Sequence, residues 1–481
     1  MNERRSEPER FSGPSTRLGP ASGSRYAGGL QAWADPRYNQ EFAMFTTAIA
    51  GSLPKPAWLA ETEKLWPKWR CEGADLAQAK LDATLLWIKA QEDAGLDVIG
   101  DGEMSRQHFV HGFLEQVEGI DFEHKVEMGI RADRYKAMLP QVVGPLRLKG
   151  RVHAAEARFL RAHTRRKIKF TLPGAMTIVD TVADRFYGDK VKLAFAFAEL
   201  LNQEALALQA DGVDIIQFDE PAFNVYMSEA ADWGVKALER AAQGLHEAGL
   251  ASGRVCTTAV HICYGYGIQA NLDWKGTLGA QWRQYEQVLP ALAASSIDQI
   301  SLESIHSKVP AELMALLKGK DVMVGVIDVA SDQIETAEEV ADTIGRALQF
   351  VPRERLIACT NCGLAPMSRA VAEAKLAALV QGAALARPRD AGRCPPGGGK
   401  RPPNGPQKKF SDCGGYTAGL ACTDSRARIE RLNLDPRTEM NGLRRVAAAS
   451  NPARQPVARQ HPAGCARHNP PDAHLSQLHP P

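Results

Sequence analysis

Apolar residues in this chain fall into short runs separated by longer stretches of helical period. The runs are Phe45–Gly51, Asp97–Gly102, Lys167–Gly174, Val213–Asp219, Thr257–Gly265, Gln299–Glu303, Val322–Asp328 and Leu356–Asn361. Such short, nearly continuous apolar runs read as strands of a buried parallel sheet. Stretches such as Lys190–Ala210, Trp233–Ala248, Pro310–Lys318 and Thr336–Phe350 repeat their apolar positions with helical spacing. Eight strands with intervening helices predict an α/β fold, a (β/α)8 TIM barrel, over an open doubly wound sheet. No GxGxxG or GxxxxGKS/T follows the first run, which counts against nucleotide binding. A charged segment from about Phe109 to Arg166 separates strands two and three, and is expected to be an insertion, a lid or helical excursion.

The pattern stops at both ends. Residues 1–43 are rich in Arg, Gly, Ser and Pro without periodicity. They read as a disordered extension, or as sequence upstream of a start at Met44. Residues 388–481 turn to Pro, Gly, Arg and Ala, with runs such as Pro395-Pro396-Gly397-Gly398-Gly399. This reads as a disordered low-complexity tail, which leaves residues 44–387 as the barrel.

Of the 481 residues, 44% are hydrophobic, enough for a large core. The net charge of +2 hides a split, because residues 388–481 hold 15 Lys and Arg against 7 Asp and Glu. The barrel is therefore mildly acidic and offers no case for nucleic-acid binding. No apolar run reaches the ~18 residues of a membrane span. No apolar signal core opens the chain, so a cytoplasmic location is expected. Nine cysteines at irregular spacing fit a reducing compartment with thiols left free.

In a barrel of this kind the C-terminal strand ends share the catalytic rim. That rim carries Ser52, then Asp101 and Glu103, Asp219 and Glu220, His261 and Cys263, Glu303, Asp328 and Cys362. His261 and Cys263 stand two apart in Thr257–Gly265, so strand alternation turns imidazole and thiol to one side. This nitrogen and sulfur pair suits zinc. Glu303 and Cys362 extend it to a set with one carboxylate that an incoming thiol can displace. Cys359 is expected to pack on the other face, Cys256 to be structural and Cys71 incidental. Glu103 and Asp219 read either as loop-capping carboxylates or as partners for a small cation such as a substrate amine. His108 and His111 are assigned to the surface or a lid, and His306 either lines the site or packs beside it.

Six segments on this rim carry a resemblance. They are Ala50-Gly51-Ser52-Leu53-Pro54, Gly100-Asp101-Gly102-Glu103, Phe218-Asp219-Glu220-Pro221-Ala222, Val260-His261-Ile262-Cys263, Ile300-Ser301-Leu302-Glu303 and Asn361-Cys362-Gly363-Leu364. In this order the chain resembles the catalytic barrel of cobalamin-independent methionine synthases, across roughly Phe45 to Arg387. It looks like the short, core-only type, without the N-terminal barrel of the long form. The resemblance implies that His261, Cys263, Glu303 and Cys362 bind a catalytic zinc. It also implies that Ser52, Glu103 and Asp219 hold the amino-acid part of homocysteine. Two positions depart from the long enzymes. Ala330, in Asp328-Val329-Ala330-Ser331, stands where they carry a His that assists proton transfer, and Thr181 where they carry a pterin-stacking Trp.

The implied activity is zinc-dependent methyl transfer to homocysteine, giving methionine. Zinc converts a thiol to its nucleophilic thiolate at neutral pH. The methyl donor is methyltetrahydrofolate, or a methyl carried by a corrinoid or a partner protein. Two other readings stand beside this: corrinoid-dependent methyl transfer to another thiol, and a non-catalytic zinc-stabilised barrel that binds thiols.

Overall fold

The structure is a computed structural model that describes residues 45–387 apart from 65 and 254. The extensions expected over 1–43 and 388–481 lie outside the described residues. Eight parallel strands form the sheet: Thr46–Thr47, Val98–Ile99, Lys167–Pro173, Ile215–Asp219, Thr257–His261, Gln299–Leu302, Asp321–Ile327 and Leu356–Thr360. Each pairs with its neighbours in chain order, and the first also pairs with the eighth. The one exception among the described residues is that the first and second share no ladder bonds with each other. Side chains bridge that seam: the backbone N–H and hydroxyl of Thr47 both donate to Asp97 Oδ2 at 2.8 Å. The Asp97 N–H returns a bond to Thr47 Oγ1. The result is a nearly closed α/β barrel.

The barrel interior changes character with height. Ala48, Val98, Ile215, Ala259, Met323, Ile357 and Cys359 make an apolar cluster of their own, so Cys359 packs as expected. Another interior group is polar, with the buried Lys169 ammonium donating to Ile49 O and Gln217 Oε1. Gln217 in turn donates to Asp219 Oδ1 at 2.8 Å. The odd-numbered side chains of strand four thus lead from core to rim.

Some expected helices change form. Lys190–Ala210 is one helix, with Asp189 accepting from the N–H groups of Val191 and Lys192. The stretch Trp233–Ala248 is broken, because Gly244 adopts φ 82° between the helices Val235–Ala242 and Leu245–Ser252. Ala311–Leu317 is a 3₁₀ helix. The insertion after strand two is corrected most: it is chiefly a β-hairpin, Val117–Ile130 paired with Tyr135–Leu148, followed by a helix at Ala154–His163. Apolar residues at every second position, such as Val126, Met128 and Ile130, explain the strand.

The hairpin tip is pinned. Arg131, Ala132 and Asp133 all have positive φ, a conformation that costs non-glycine residues roughly 1–2 kcal/mol each. Asp180 accepts from the Arg131 backbone and guanidinium, and Tyr226 Oη accepts from the Ala132 N–H at 2.8 Å. The lid expected from sequence is therefore a strapped hairpin. No helix among the described residues is long and apolar enough to cross a membrane.

Candidate active site

A cavity opens at the C-terminal rim, with residues of the hairpin tip in its lining. Its lining includes Ser52, Glu103 and Asp219, then His261, Cys263 and Cys362, and Arg131, Arg134 and Tyr135 of the hairpin; Asp219 and His261 are register partners on neighbouring strands. Six of the seven side chains singled out from sequence therefore line one space. The seventh, Glu303, does not border it.

His261, Cys263 and Cys362 each place a donor atom within 4.8 Å of the other two, and all are buried. Strand five ends at His261, and Asn224 Nδ2 donates to the Cys263 carbonyl at 2.9 Å, fixing the turn beyond. His261 Nδ1 contacts Ser301 Oγ at 2.8 Å, while its Nε2 is buried without a hydrogen-bond partner. The two sulfurs stand 3.2 Å apart. The hydrogen bond from Cys362 holds the Cys263 thiol well below its usual range, against the opposing effect of burial. The same bond pushes Cys362 well above it. Two cysteine sulfurs 3.2 Å apart beside an imidazole nitrogen with no hydrogen-bond partner among the described residues form one cluster of nitrogen and sulfur donors. The residues fit a soft divalent metal.

The fourth expected ligand, Glu303, lies beside the cysteines and has protein partners of its own. Glu303 Oε1 accepts from Lys275 Nζ at 2.8 Å and Oε2 from the Tyr264 N–H at 3.2 Å. Its carboxylate is outside the group formed by the other three.

The carboxylates line the same cavity. Glu103 has φ 63°, its N–H donates to Asp101 Oδ1, and its Oε1 accepts from Thr171 Oγ1 at 3.0 Å. Asp101 is engaged by both carboxylate oxygens with Arg106 Nη2 at 2.9 and 2.8 Å, so it shapes the turn. Burial pushes the Asp219 carboxyl up to about 7, with His261 working against it and Glu103 adding to it. Glu220 is the capping carboxylate of the Asp219-Glu220 pair, accepting from the N–H groups of Met176 and Thr177 and from Thr177 Oγ1. Ser52 Oγ lies 3.1 Å from Tyr266 Oη. A Cβ on Gly363 would meet Ser52 Oγ at 2.0 Å, so only glycine lets strand eight's loop approach there.

Several cavity residues had no signal in the motif pattern. Arg134 donates to Asn271 Oδ1 at 3.0 Å and its guanidinium lies 3.4 Å from the Trp274 ring centroid. Its Nε and Nη2 are buried without partners. Nothing in the irregular insertion sequence distinguished this arginine. Tyr266, two residues after Tyr264 in the loop from the ligand strand, was within reach of sequence reasoning. His108 and His111 are buried, correcting the surface assignment: His108 stacks on Trp66 at 4.0 Å. Burial first, and His111 next, hold the His108 ring well below its usual pKa. His306 is 41% exposed and lies 3.6 Å from Asp328, outside the cavity lining.

Neither departure from the long enzymes opens a new surface. Thr181 is buried, and its hydroxyl donates to the carbonyls of Thr177 and Ile178. The loop after strand five crosses close to Ala330: a Cβ on Gly267 would meet Val329 O at 2.3 Å and Ala330 Cα at 2.7 Å.

Fold and rim together define an α/β barrel enzyme with a sulfur-rich pocket. Residues 44–385 match the family described as "Cobalamin-independent synthase, Catalytic domain". A methionine synthase of Saccharolobus islandicus is 32% identical over 347 residues, covering 72% of this chain and 95% of that protein. Another, from Sulfolobus acidocaldarius, is 28% identical over 351 residues, covering 73% and 94%. Among solved structures, a B12-independent methionine synthase from Shewanella sp. W3-18-1, in complex with selenomethionine, aligns at 54% identity with a TM-score of 0.69. That alignment covers 72% of this chain and 98% of the other. The chain belongs to the cobalamin-independent synthase family, and its class of reaction is the methyl transfer of methionine synthesis.

Proposed function

We propose that this chain transfers a methyl group to the sulfur of homocysteine, forming methionine, with zinc held by His261, Cys263 and Cys362 and with Glu303 beside them as the expected fourth ligand. The observation that carries this reading is the convergence of those three donor atoms on a cavity whose lining also bears Ser52, Glu103 and Asp219. When bound, zinc supplies a thiolate from the substrate thiol at neutral pH. The chain's own residues do the rest. Asp219 and Glu103 receive the ammonium, and Ser52 with Tyr266 receives the carboxylate. The sulfur is thereby directed toward the cysteines. Holding thiol and donor in one enclosed space supplies much of the acceleration expected for a bimolecular transfer.

A family named for independence from cobalamin favours a donor that acts directly, methyltetrahydrofolate, over a methyl-corrinoid. Thr181, tied to its own helix turn, offers no ring to the pterin, so the aromatic wall of Trp274 and Trp66 is the candidate replacement. Free buried thiols fit a cytoplasmic setting.

The test supplies purified protein with zinc and homocysteine, then methyltetrahydrofolate (mono- and polyglutamate) or methylcobalamin separately, and measures methionine. Methionine from the folate alone is the expected result. Methionine from methylcobalamin alone would replace the donor assignment, and none from either would defeat the reading. Cys263→Ser or Cys362→Ser should lose zinc by elemental analysis.

A further inference from the structure

A second cleft lies outside the catalytic cavity and shares no lining residue with it. Its lining includes the turn after strand two, the helix Gly73–Ala94 and the start of the helix Ala154–His163. Two of its side chains are nearly inaccessible, His153 at 2% and Arg106 at 3% exposure. Both His153 ring nitrogens and Arg106 Nε are buried without a hydrogen-bond partner among the described residues. Burial first, and the Arg106 charge next, hold the imidazole well below its usual pKa. The ring is therefore neutral and offers one donor and one acceptor. Buried polar atoms in this state are rare, and three of them on residues of one cleft mark a place for a polar guest.

The charges of the cleft are unmatched too. Lys80, 4.6 Å above the Trp69 ring centroid, forms no ion pair among the described residues. Nor do Glu115 and Glu156, whose carboxyls burial pushes up, with the Lys80 charge working against it. Arg106 uses Nη2 on Asp101 and Nη1 on Thr171 O at 2.7 Å, which leaves only Nε. No side chain caps the helix that starts after His153, so its positive end adds to the attraction for an anion.

We propose that this cleft binds a small α-amino acid, whose carboxylate meets Arg106 Nε and Lys80 and whose ammonium meets Glu115 and Glu156, and that the guest steadies Glu103 through Arg106. Water alone would satisfy His153 but leave the opposite charges unjoined, whereas a zwitterion joins them. The lining is polar almost throughout, which suits a short or polar side chain rather than a long apolar one. The link to Glu103 is short. Asp101, held by Arg106 Nη2, accepts from the Glu103 N–H, and Thr171, held by Nη1, donates to Glu103 Oε1. An anion on Nε fixes the guanidinium plane, and with it both partners of Glu103. This coupling rests on the homocysteine reading above; the binding itself does not.

The test titrates glycine into the full chain by calorimetry and repeats the titration with Lys80→Met and with Glu156→Gln, both at partly exposed positions. Saturable binding is expected, weakened about tenfold or more by either substitution, the loss of one charge-assisted hydrogen bond at 1.4 kcal/mol per decade. Acetate and methylammonium, the two halves of glycine, should each bind more weakly than the whole. At saturating glycine, homocysteine affinity should rise about fivefold or more, as for a modest allosteric coupling. Lys80→Met should abolish that rise and leave homocysteine affinity without glycine unchanged. An absence of glycine binding overturns the site, as does acetate binding as tightly as glycine. Binding that neither substitution weakens would put glycine in the catalytic cavity and overturn it as well. If glycine binds here but homocysteine affinity does not move, the coupling is overturned and the site stands. A chain that binds no homocysteine defeats the reading above and the coupling with it, while the glycine titration still decides the site.

Discussion

Ser301 Oγ lies 2.8 Å from His261 Nδ1, so the nitrogen left for a metal is Nε2, buried and unpartnered among the described residues. Ser301 is on strand six and His261 on strand five, paired in register, and the hydroxyl therefore aims the ring through the sheet itself. A hydrogen bond to the remote ring nitrogen fixes the tautomer and orientation that ligation needs. Ser301→Ala is expected to weaken zinc binding by about 10- to 100-fold while the barrel stays folded. Chelator competition and circular dichroism check this together. Unchanged affinity would mean that packing alone orients the imidazole.

Asp219 gives a prediction about acidity. Its carboxyl is pushed up to about 7 by burial, so without substrate it passes between neutral and charged near neutrality. Only the charged form pairs with an ammonium. Lowering the pH through 7 protonates it, and homocysteine KM should therefore rise on the acid side. In Asp219→Asn that rise should disappear, with KM higher by about 10- to 100-fold at pH 8, as for a charged hydrogen bond of roughly 1.5–3 kcal/mol. Zinc content should not change. A simple thiol without an amine should be indifferent to the substitution, and an equal penalty on both thiols would argue for a structural role.

The rim was legible because barrel chemistry falls at strand ends, and the eight apolar runs located those ends. Strand alternation was enough to bring His261 beside Cys263, and separate Cys359 from Cys362. The hairpin was hidden by charge: its strands are half exposed, so the alternation of Val126, Met128 and Ile130 is diluted by polar neighbours. Lys275 was hidden for another reason. A lysine on a short helix carries no pattern that marks it as buried, and only the fold brings it to Glu303. Gly244 broke one predicted helix because its left-handed backbone suits glycine and ends the helical path.

The family match spans 44–385, close to the 44–387 barrel expected from sequence. Helix Arg369–Ala386 buries Leu376, Leu379 and Ala383, so the barrel closes its own core before residue 388. A polypeptide comprising 44–387 is expected to be soluble, to bind zinc and to keep the thermal midpoint of the full chain within a few degrees. Insoluble product, or a midpoint lower by more than about 8 °C, the effect of roughly 6 kcal/mol at this size, would assign the flanking residues a part in the fold.

The last prediction concerns the roof of the cavity. Arg131 is neutralised by Asp180, but among the described residues Arg134 has no carboxylate partner, and two of its nitrogens are buried without hydrogen bonds. Leaving such donors unsatisfied costs roughly 1–3 kcal/mol, more where the group is charged. An incoming acceptor would recover that energy. The ammonium and carboxylate of homocysteine already have partners in Asp219, Glu103, Ser52 and Tyr266 in the proposed pose, so the acceptor is assigned to the methyl donor. Arg134→Gln should raise KM for the donor by about 10- to 100-fold, the equivalent of one charged hydrogen bond. Homocysteine affinity, measured without donor, and zinc content should stay near those of the unmodified chain. Arg134→Lys, which keeps charge but not the planar stack on Trp274, should recover only part of the loss. If Arg134→Gln weakened homocysteine binding as much as donor use, the arginine would instead be holding the helix of Asn271 and Trp274 in place.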